Sequence, residues 1–411
     1  MKHAVSATWF LDTENRTCET EMAVVVSGSS IERVMPRARL LAELPNMKVT
    51  HFEGCTILPG LVNCHSHLLM PGDGTAVEQM ANLRDEQLYQ TALENARLSL
   101  ASGVTTLADL GAKNDVTFRL REHIKAGMAT GPRLILCGTA LTSPRGHLWP
   151  FGGEVCDEDE LKSEARRLFD RGADILKVLA SGGGTSSSNL FAPQFDSRRL
   201  EAAVLQARSA GKKAFGHCTC KAATSAALLA GFDVICHGLF FDACGHMIFD
   251  QALAESALQA QVIWNPTLYV ARGRNQILRS LRLEHEHQIR KREQEYEVQA
   301  EHVQKVYEMG IPIAAGSDEG WSYNRFGQFA REIDSLQQAG LSCIDALAAG
   351  TIVAAKALGV DENVGSLAPG KMADMLVAEG NVATDVGALS NIREVFYEGT
   401  RVNVGSYTNE K

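Results

Sequence analysis

The chain has 411 residues, 45% of them hydrophobic, 22% charged and 6% aromatic, which is the composition of a folded globular protein and excludes a disordered, collagen-like or disulfide-stapled one. Forty Lys and Arg against 49 Asp and Glu leave a formal charge of −9, so there is no basic excess to neutralise a phosphate backbone and nucleic acid is not an expected partner. No apolar run reaches the roughly 18 residues that span a bilayer; the most apolar stretch, 341–360, is broken by Asp345 and Lys356. No membrane association is expected. With no secretion signal, the chain reads as cytoplasmic. Its 10 cysteines lack CxxC spacing and are expected as reduced core thiols.

In chain order, residues 1–55 contain β-leaning segments such as 23–27, with Gly and Asn turns and little helical period. A strand-then-helix rhythm follows. Short β-branched runs fall at 56–64, 103–110, 133–138, 175–180, 213–217, 233–237, 262–267 and 312–317, each ending in or beside Gly, Ser, Asp or His. Helical periodicity fills much of the space between them, at 85–101, 117–126, 158–171, 197–210 and 220–230. The span 275–309 reads as one long charged helix, a solvated face or oligomer contact without a catalytic role. Beyond residue 365, short β segments return at 375–378, 395–397 and 402–404. The expected fold is therefore α/β: a (β/α)₈ TIM barrel over 56–364, with a small β-sandwich domain formed by 1–55 and 365–411. A doubly wound open sheet is the competing topology.

His65 and His67 follow the apolar run 57–62. Side chains at i and i+2 of a strand share a face, so both imidazoles can reach one metal ion, although a bare HxH also suits two histidines at a loop mouth. His217, His237 and Asp318 fall at the ends of other predicted strands, which a barrel brings to one rim. Lys177 lies among aliphatic residues. As a buried ammonium it has to be paired, neutral or chemically altered; a salt bridge at the barrel floor is the plain alternative.

These residues sit in motifs that resemble the amidohydrolase superfamily, of the binuclear metal type with a carboxylated lysine. Leu58-Pro59-Gly60-Leu61-Val62-Asn63-Cys64-His65-Ser66-His67 is similar to the family's PGxIDxHxH, with Asn63 where Asp is usual. Gly103-Val104-Thr105-Thr106, Ala314-Ala315-Gly316-Ser317-Asp318 and Gly365-Ser366-Leu367-Ala368-Pro369-Gly370 resemble the second strand, the eighth strand and the return to the β domain. The resemblance implies two divalent ions, zinc being the best match to imidazole and carboxylate ligands. It implies that His65, His67 and Asp318 hold one ion, that His217 and His237 hold the other, and that carboxylated Lys177 bridges them. The reaction implied is hydrolysis of an amide-type C–N bond by a metal-bridging hydroxide, with Asp318 as proton shuttle. It further implies a homo-oligomer acting on a small molecule.

Within that superfamily the loops resemble prolidase-like members that cleave dipeptides and N-acyl amino acids. His147, in Thr142-Ser143-Pro144-Arg145-Gly146-His147, is expected to face the substrate and polarise its carbonyl or bind a carboxylate; it could equally satisfy loop carbonyls. Ser181 and Gly182 open a glycine-rich loop expected to approach the ligand, a merely flexible loop being the alternative. Phe240 stands where the subgroup commonly has tyrosine and is expected to tilt the pocket toward apolar groups. Arg325 and Arg145 are candidate anion contacts, and Cys218 and Cys220 read as packed thiols. A deaminase or cyclic-amide hydrolase is the second reading, which Lys177 disfavours; a scaffold without metals is the remote third.

Overall fold

The computed structural model describes residues 2–403. The end of the expected β segment at 402–404, and the rest of the tail, lie outside the described residues. The chain opens with β1 (Lys2–Asp12), β2 (Thr17–Thr20), β3 (Met22–Ser27), β4 (Ser30–Pro36) and β5 (Val49–Pro59). It then runs through β6 (Leu61–Ser66), β7 (Val104–Asp109), β8 (Arg133–Leu136), β9 (Ile175–Leu179), β10 (Lys213–Cys220), β11 (Val234–Phe241) and β12 (Ile263–Asn265). It closes with β13 (Met375–Glu379), β14 (Ile392–Tyr397) and β15 (Thr400–Val402).

Both ends of the chain build one sheet, in the order β15-β14-β13-β5-β1-β3-β4, with β2 on β1. β1 runs parallel to β5 and β13 antiparallel to it, so residues more than 300 apart in sequence share a ladder. Val5, Val24, Ile57, Met375 and Phe396 join in its apolar cluster.

The expected strand 56–64 is two strands in two different sheets, divided at Gly60. A side chain there would drive a Cβ to 2.1 Å from Thr105 Oγ1, and the Gly60 N–H donates to Asp374 O at 2.9 Å. Pro59, with no N–H, ends the first ladder and glycine lets the backbone press against β7 as it turns into the second.

β6, β7 and β8 form one parallel sheet, and β9 to β12 form another. Isolated backbone bonds link them on both sides. Leu141 N–H donates to Lys177 O at 2.9 Å, Trp264 N–H to Pro312 O at 2.8 Å and Asp318 N–H to His65 O at 2.9 Å. The expected strand 312–317 forms no regular ladder: Ile313 makes one isolated parallel bridge to Trp264, and the Ala315 N–H donates to Ala349 O in the π-helical turn Ala349–Val353.

Side chains alternate between two environments. Val62, Ala108, Ile135, Ile175, Phe215, Val234 and Cys236 meet in one interior cluster, whereas Leu61, Leu107, Leu134, Leu176 and Ile235 pack with the helices. Period two along β9 and β10 then carries Lys177 and His217 onto the interior face, above Ile175 and Phe215.

Helices Asp85–Ala101, Val116–Lys125, Glu158–Asp170, Ser197–Ser209 and Lys221–Ala230 lie where their periodicity predicts. The expected long helix at 275–309 is instead a pair, Leu268–Ser280 and Glu286–Glu308. The chain turns with Arg282 at φ 53°, and Arg279 ties the two helices by ion pairs to Glu286 and Glu293. No helix among the described residues is long and apolar enough to cross a membrane. All 10 cysteines are free thiols, Cys218 and Cys220 being buried.

Candidate metal centre

The ends of the parallel strands bring the predicted ligands together. His65 and His67, at the end of β6, present Nε2 to the same Asp318 oxygen at 3.5 and 3.1 Å. The donor atoms of these three buried residues all lie within 4.8 Å of one another. His237 extends the cluster, its ring centroid 5.0 Å from that of His65 and 4.5 Å from that of His217. His147 follows, 4.7 Å from His217. Lys177 stands among them, 1% exposed, and its Nζ makes no hydrogen bond among the described residues.

The imidazoles are held by groups behind them. His65 Nδ1 is 2.8 Å from Asn265 Oδ1 and His237 Nδ1 is 2.8 Å from Thr267 Oγ1, which leaves each Nε2 facing inward. His217 reverses the arrangement: Nε2 meets Gly182 O at 3.1 Å, so Nδ1 is its free nitrogen. Burial, reinforced by one another and by Lys177, pushes His65, His217 and His237 well below the usual imidazole range. They are therefore neutral near pH 7 and each has a lone pair for a cation. Carboxylate and neutral imidazole donors, braced from behind and packed around an unpaired amine, fit divalent ions.

The backbone at this rim is strained. His237, Phe240, Thr267 and Asp318 adopt φ of 67°, 57°, 50° and 57°, in the left-handed region that costs a non-glycine residue about 1 kcal/mol or more. Four such residues, two within β11 and two in the segments after β12 and residue 317, show packing that over-determines the positions of His237 and Asp318.

A cavity of about 280 Å³ opens over the cluster, bounded by His65, His67, His147, Lys177, His217, His237 and Asp318. Burial lowers the pKa of His147 to about 3, and its Nδ1 bonds to Thr185 Oγ1 at 2.9 Å. Gly183 lets it sit there, since a Cβ at that position would lie 2.4 Å from the imidazole Cδ2.

The other expected substrate contacts lie elsewhere. Ser181 turns inward to Thr219 Oγ1 at 2.7 Å, and Gly182 contributes its carbonyl to His217, so both brace the rim from behind. Phe240 does not face the cavity. Its left-handed backbone rotates the ring into the core, stacked on Trp264 at 5.5 Å, and Leu239 and Phe241 wall the cavity in its place. Arg325 and Arg145 are exposed, the former in the field of Asp73 and the latter over the Trp149 ring.

The helix pair expected to be a solvated face supplies Arg274, Arg292, Glu295, Tyr296 and Gln299 to the cavity wall. Charge along a helix does not reveal which turn faces a neighbouring strand end. Asn265 and Thr267 were within reach of sequence reasoning, because they end the seventh predicted strand where ligand-bearing positions fall on the others.

Residues 56–404 match the model of the amidohydrolase family. No curated protein matches the chain. Among solved structures, a Xaa-Pro dipeptidase with bound methionine superposes with a TM-score of 0.86 and 23% identity, over 98% of this chain and 100% of that one. The A. niger ochratoxinase gives 0.82 and 20%, over 97% and 95%. A phenylurea hydrolase B gives 0.80 and 20%, over 99% and 98%. The structural likenesses speak for the fold, and the family match spans both the ligand-bearing strands and the returning β segments. The chain belongs to the amidohydrolase family.

Proposed function

We propose that this protein is a binuclear metal-dependent hydrolase of the prolidase-like kind, cleaving a C–N bond of a small carboxamide, N-acyl amino acid, dipeptide, carbamate or urea. His65, His67 and Asp318 would hold one divalent ion, His217 and His237 a second, and Lys177, once carboxylated, would serve both; zinc suits the donor set. The observation that carries this reading is Lys177, a buried amine with no hydrogen-bond partner among the described residues, surrounded by neutral imidazoles and one carboxylate. Addition of the free amine to carbon dioxide forms a C–N bond and releases the N–H proton, which leaves a carbamate anion suited to ligation.

When bound, such ions make water nucleophilic near neutral pH and polarise a carbonyl oxygen. Asp318 takes a proton from the attacking water and returns it to the leaving nitrogen. His147, neutral and fixed by Thr185, presents Nε2 toward the cavity as the partner of the substrate carbonyl. The two parallel sheets are read as arcs of one (β/α)₈ barrel over 56–364, supported by the backbone bonds that link them at both junctions. The terminal strands, which the expected β-sandwich would divide between two sheets, are joined in one sheet, and this sheet is read as the accompanying small β domain.

Metal analysis of the purified protein, with a screen of dipeptides, N-acyl amino acids, aryl amides, ureas and carbamates, tests the proposal. Asp318→Asn is expected to lower kcat by at least about 10³-fold with metal retained. Near-normal turnover by that variant removes Asp318 as the shuttle, and release of ammonia without a carboxylic acid or carbamate-derived product points to the deaminase reading.

A further inference from the structure

Arg274 has no use in the chemistry above. It projects from helix Leu268–Ser280 into the cavity that holds the histidine cluster. Its Nε is buried and without a hydrogen-bond partner among the described residues. Two carboxylates act on it through space: Glu284 is already paired with Arg292, which itself repels Arg274, and Glu295, on the same cavity wall, forms no ion pair with it among the described residues. Burial and that like charge both lower its pKa, so its positive charge is poorly compensated. A guanidinium in a walled cavity with a buried N–H unpaired and no close carboxylate of its own is costly unless something anionic arrives to meet it. Guanidinium geometry matches a carboxylate by two parallel hydrogen bonds. The same cavity lining includes the apolar side chains of Leu239, Phe241, Met247 and Val270.

We propose that Arg274 is the specificity-determining residue, binding a carboxylate carried by the substrate, so that the protein selects acidic amides such as N-acyl amino acids and dipeptides over neutral amides, ureas and carbamates. The inference rests on the hydrolase reading for its substrate class, but the anion site stands on the helix pair alone. Neither Arg145 nor Arg325 competes for the role, since both lie outside the cavity.

The test uses the full-length, metal-loaded protein and a panel of N-acetyl-L-amino acids and dipeptides, each paired with its C-terminal amide as a neutral counterpart. Wild type is expected to favour the free acids in kcat/KM, and Arg274→Met to reduce the acid-to-amide ratio at least 30-fold, mainly through KM, in line with loss of a charged hydrogen bond. Arg274→Lys is expected to fall between. Binding of the same acids, followed by calorimetry, should weaken about 30-fold in Arg274→Met whether or not an acid is cleaved. Binding of the acids that depends on Arg274, without hydrolysis of any panel member, upholds the anion site and defeats the hydrolase reading for amide and dipeptide substrates. Cleavage of acids and amides with equal efficiency, an unchanged ratio in Arg274→Met, or no binding of any acid to the wild type overturns the anion site.

Discussion

Asn63 occupies the position where the family motif has aspartate, and its surroundings explain the exchange. Its amide nitrogen donates to Ser317 Oγ at 2.8 Å and Glu319 Oε2 at 3.0 Å, while its oxygen accepts the N–H groups of His65 and Ser317 at 3.2 and 3.1 Å. One side chain thus locks the strand bearing His65 to the segment bearing Asp318. Burial raises Glu319 to about 7, so a second carboxylate at residue 63 would face a group already resisting ionisation. Asn63→Asp is expected to cost about 2 kcal/mol of stability at pH 8. The pair's apparent pKa would lie above its unfolded value, so the penalty shrinks as pH falls toward 5 and one carboxyl keeps its proton. Urea unfolding at the two pH values measures it, and a pH-independent penalty would show that packing rather than charge is responsible. The HxH pair and the substituted asparagine were legible in the sequence. The role of Asn63 was not, because Ser317 and Glu319 are more than 250 positions away.

At the scale of elements, the helix pair is fastened to the rim at its start. Glu332, buried in helix Ala330–Gln338, accepts the N–H groups of Leu268 and Tyr269 at 3.0 and 2.6 Å, satisfying the first donors of helix Leu268–Ser280 from a distant part of the chain. Gln299 Nε2 donates to Pro266 O at 3.0 Å and pins the second helix of the pair to the same loop. Glu332→Ala leaves two buried donors without acceptors and is expected to destabilise the protein by about 2–4 kcal/mol. Because Arg274 rides on the released helix, the same variant should weaken binding of carboxylate ligands. Thermal unfolding and calorimetric titration read the two effects, and an unaltered melting temperature would show that Glu332 does not hold the helix. The periodicity of 275–309 predicted helix correctly but missed its division near 281–285 and its inward face. Few apolar positions were available there to point out which side is covered, and a cavity wall built from Arg, Glu, Tyr and Gln carries the signature of a solvated surface.

Over the whole molecule, the centre concentrates groups that resist protonation. His65, His217 and His237 are held well below the usual imidazole range and His147 at about 3, all chiefly by burial. An unfolded chain binds protons at these histidines as pH drops through about 6.5, whereas the folded one does not, so metal-free protein loses stability as pH falls below that value. Each histidine contributes a slope of up to about 1.4 kcal/mol per pH unit while only its unfolded form titrates. Chelation should therefore abolish turnover and make unfolding strongly acid-sensitive, and restored metal should raise the melting temperature at every pH where it binds. Denaturation of chelated and metal-loaded protein between pH 5 and 8 tests this, and a chelated form with flat pH dependence would contradict the buried, neutral histidine cluster.

What the amino-acid order determined unaided was local and periodic. It determined the alternation of strands and helices, the apolar runs that end in His65, His217 and His237, the family motifs and the chemistry their donors imply. Those features depend on neighbours within a few residues, where strand and helix periods dictate facing. Only the tertiary structure decided that Gly60 divides one apolar run between two sheets, that Phe240 turns into the core, and that Asn265 and Thr267 hold imidazoles in place. It also turned Arg274 into the cavity. These outcomes depend on which atoms occupy the space beside a residue, and that space is filled by segments tens to hundreds of positions away.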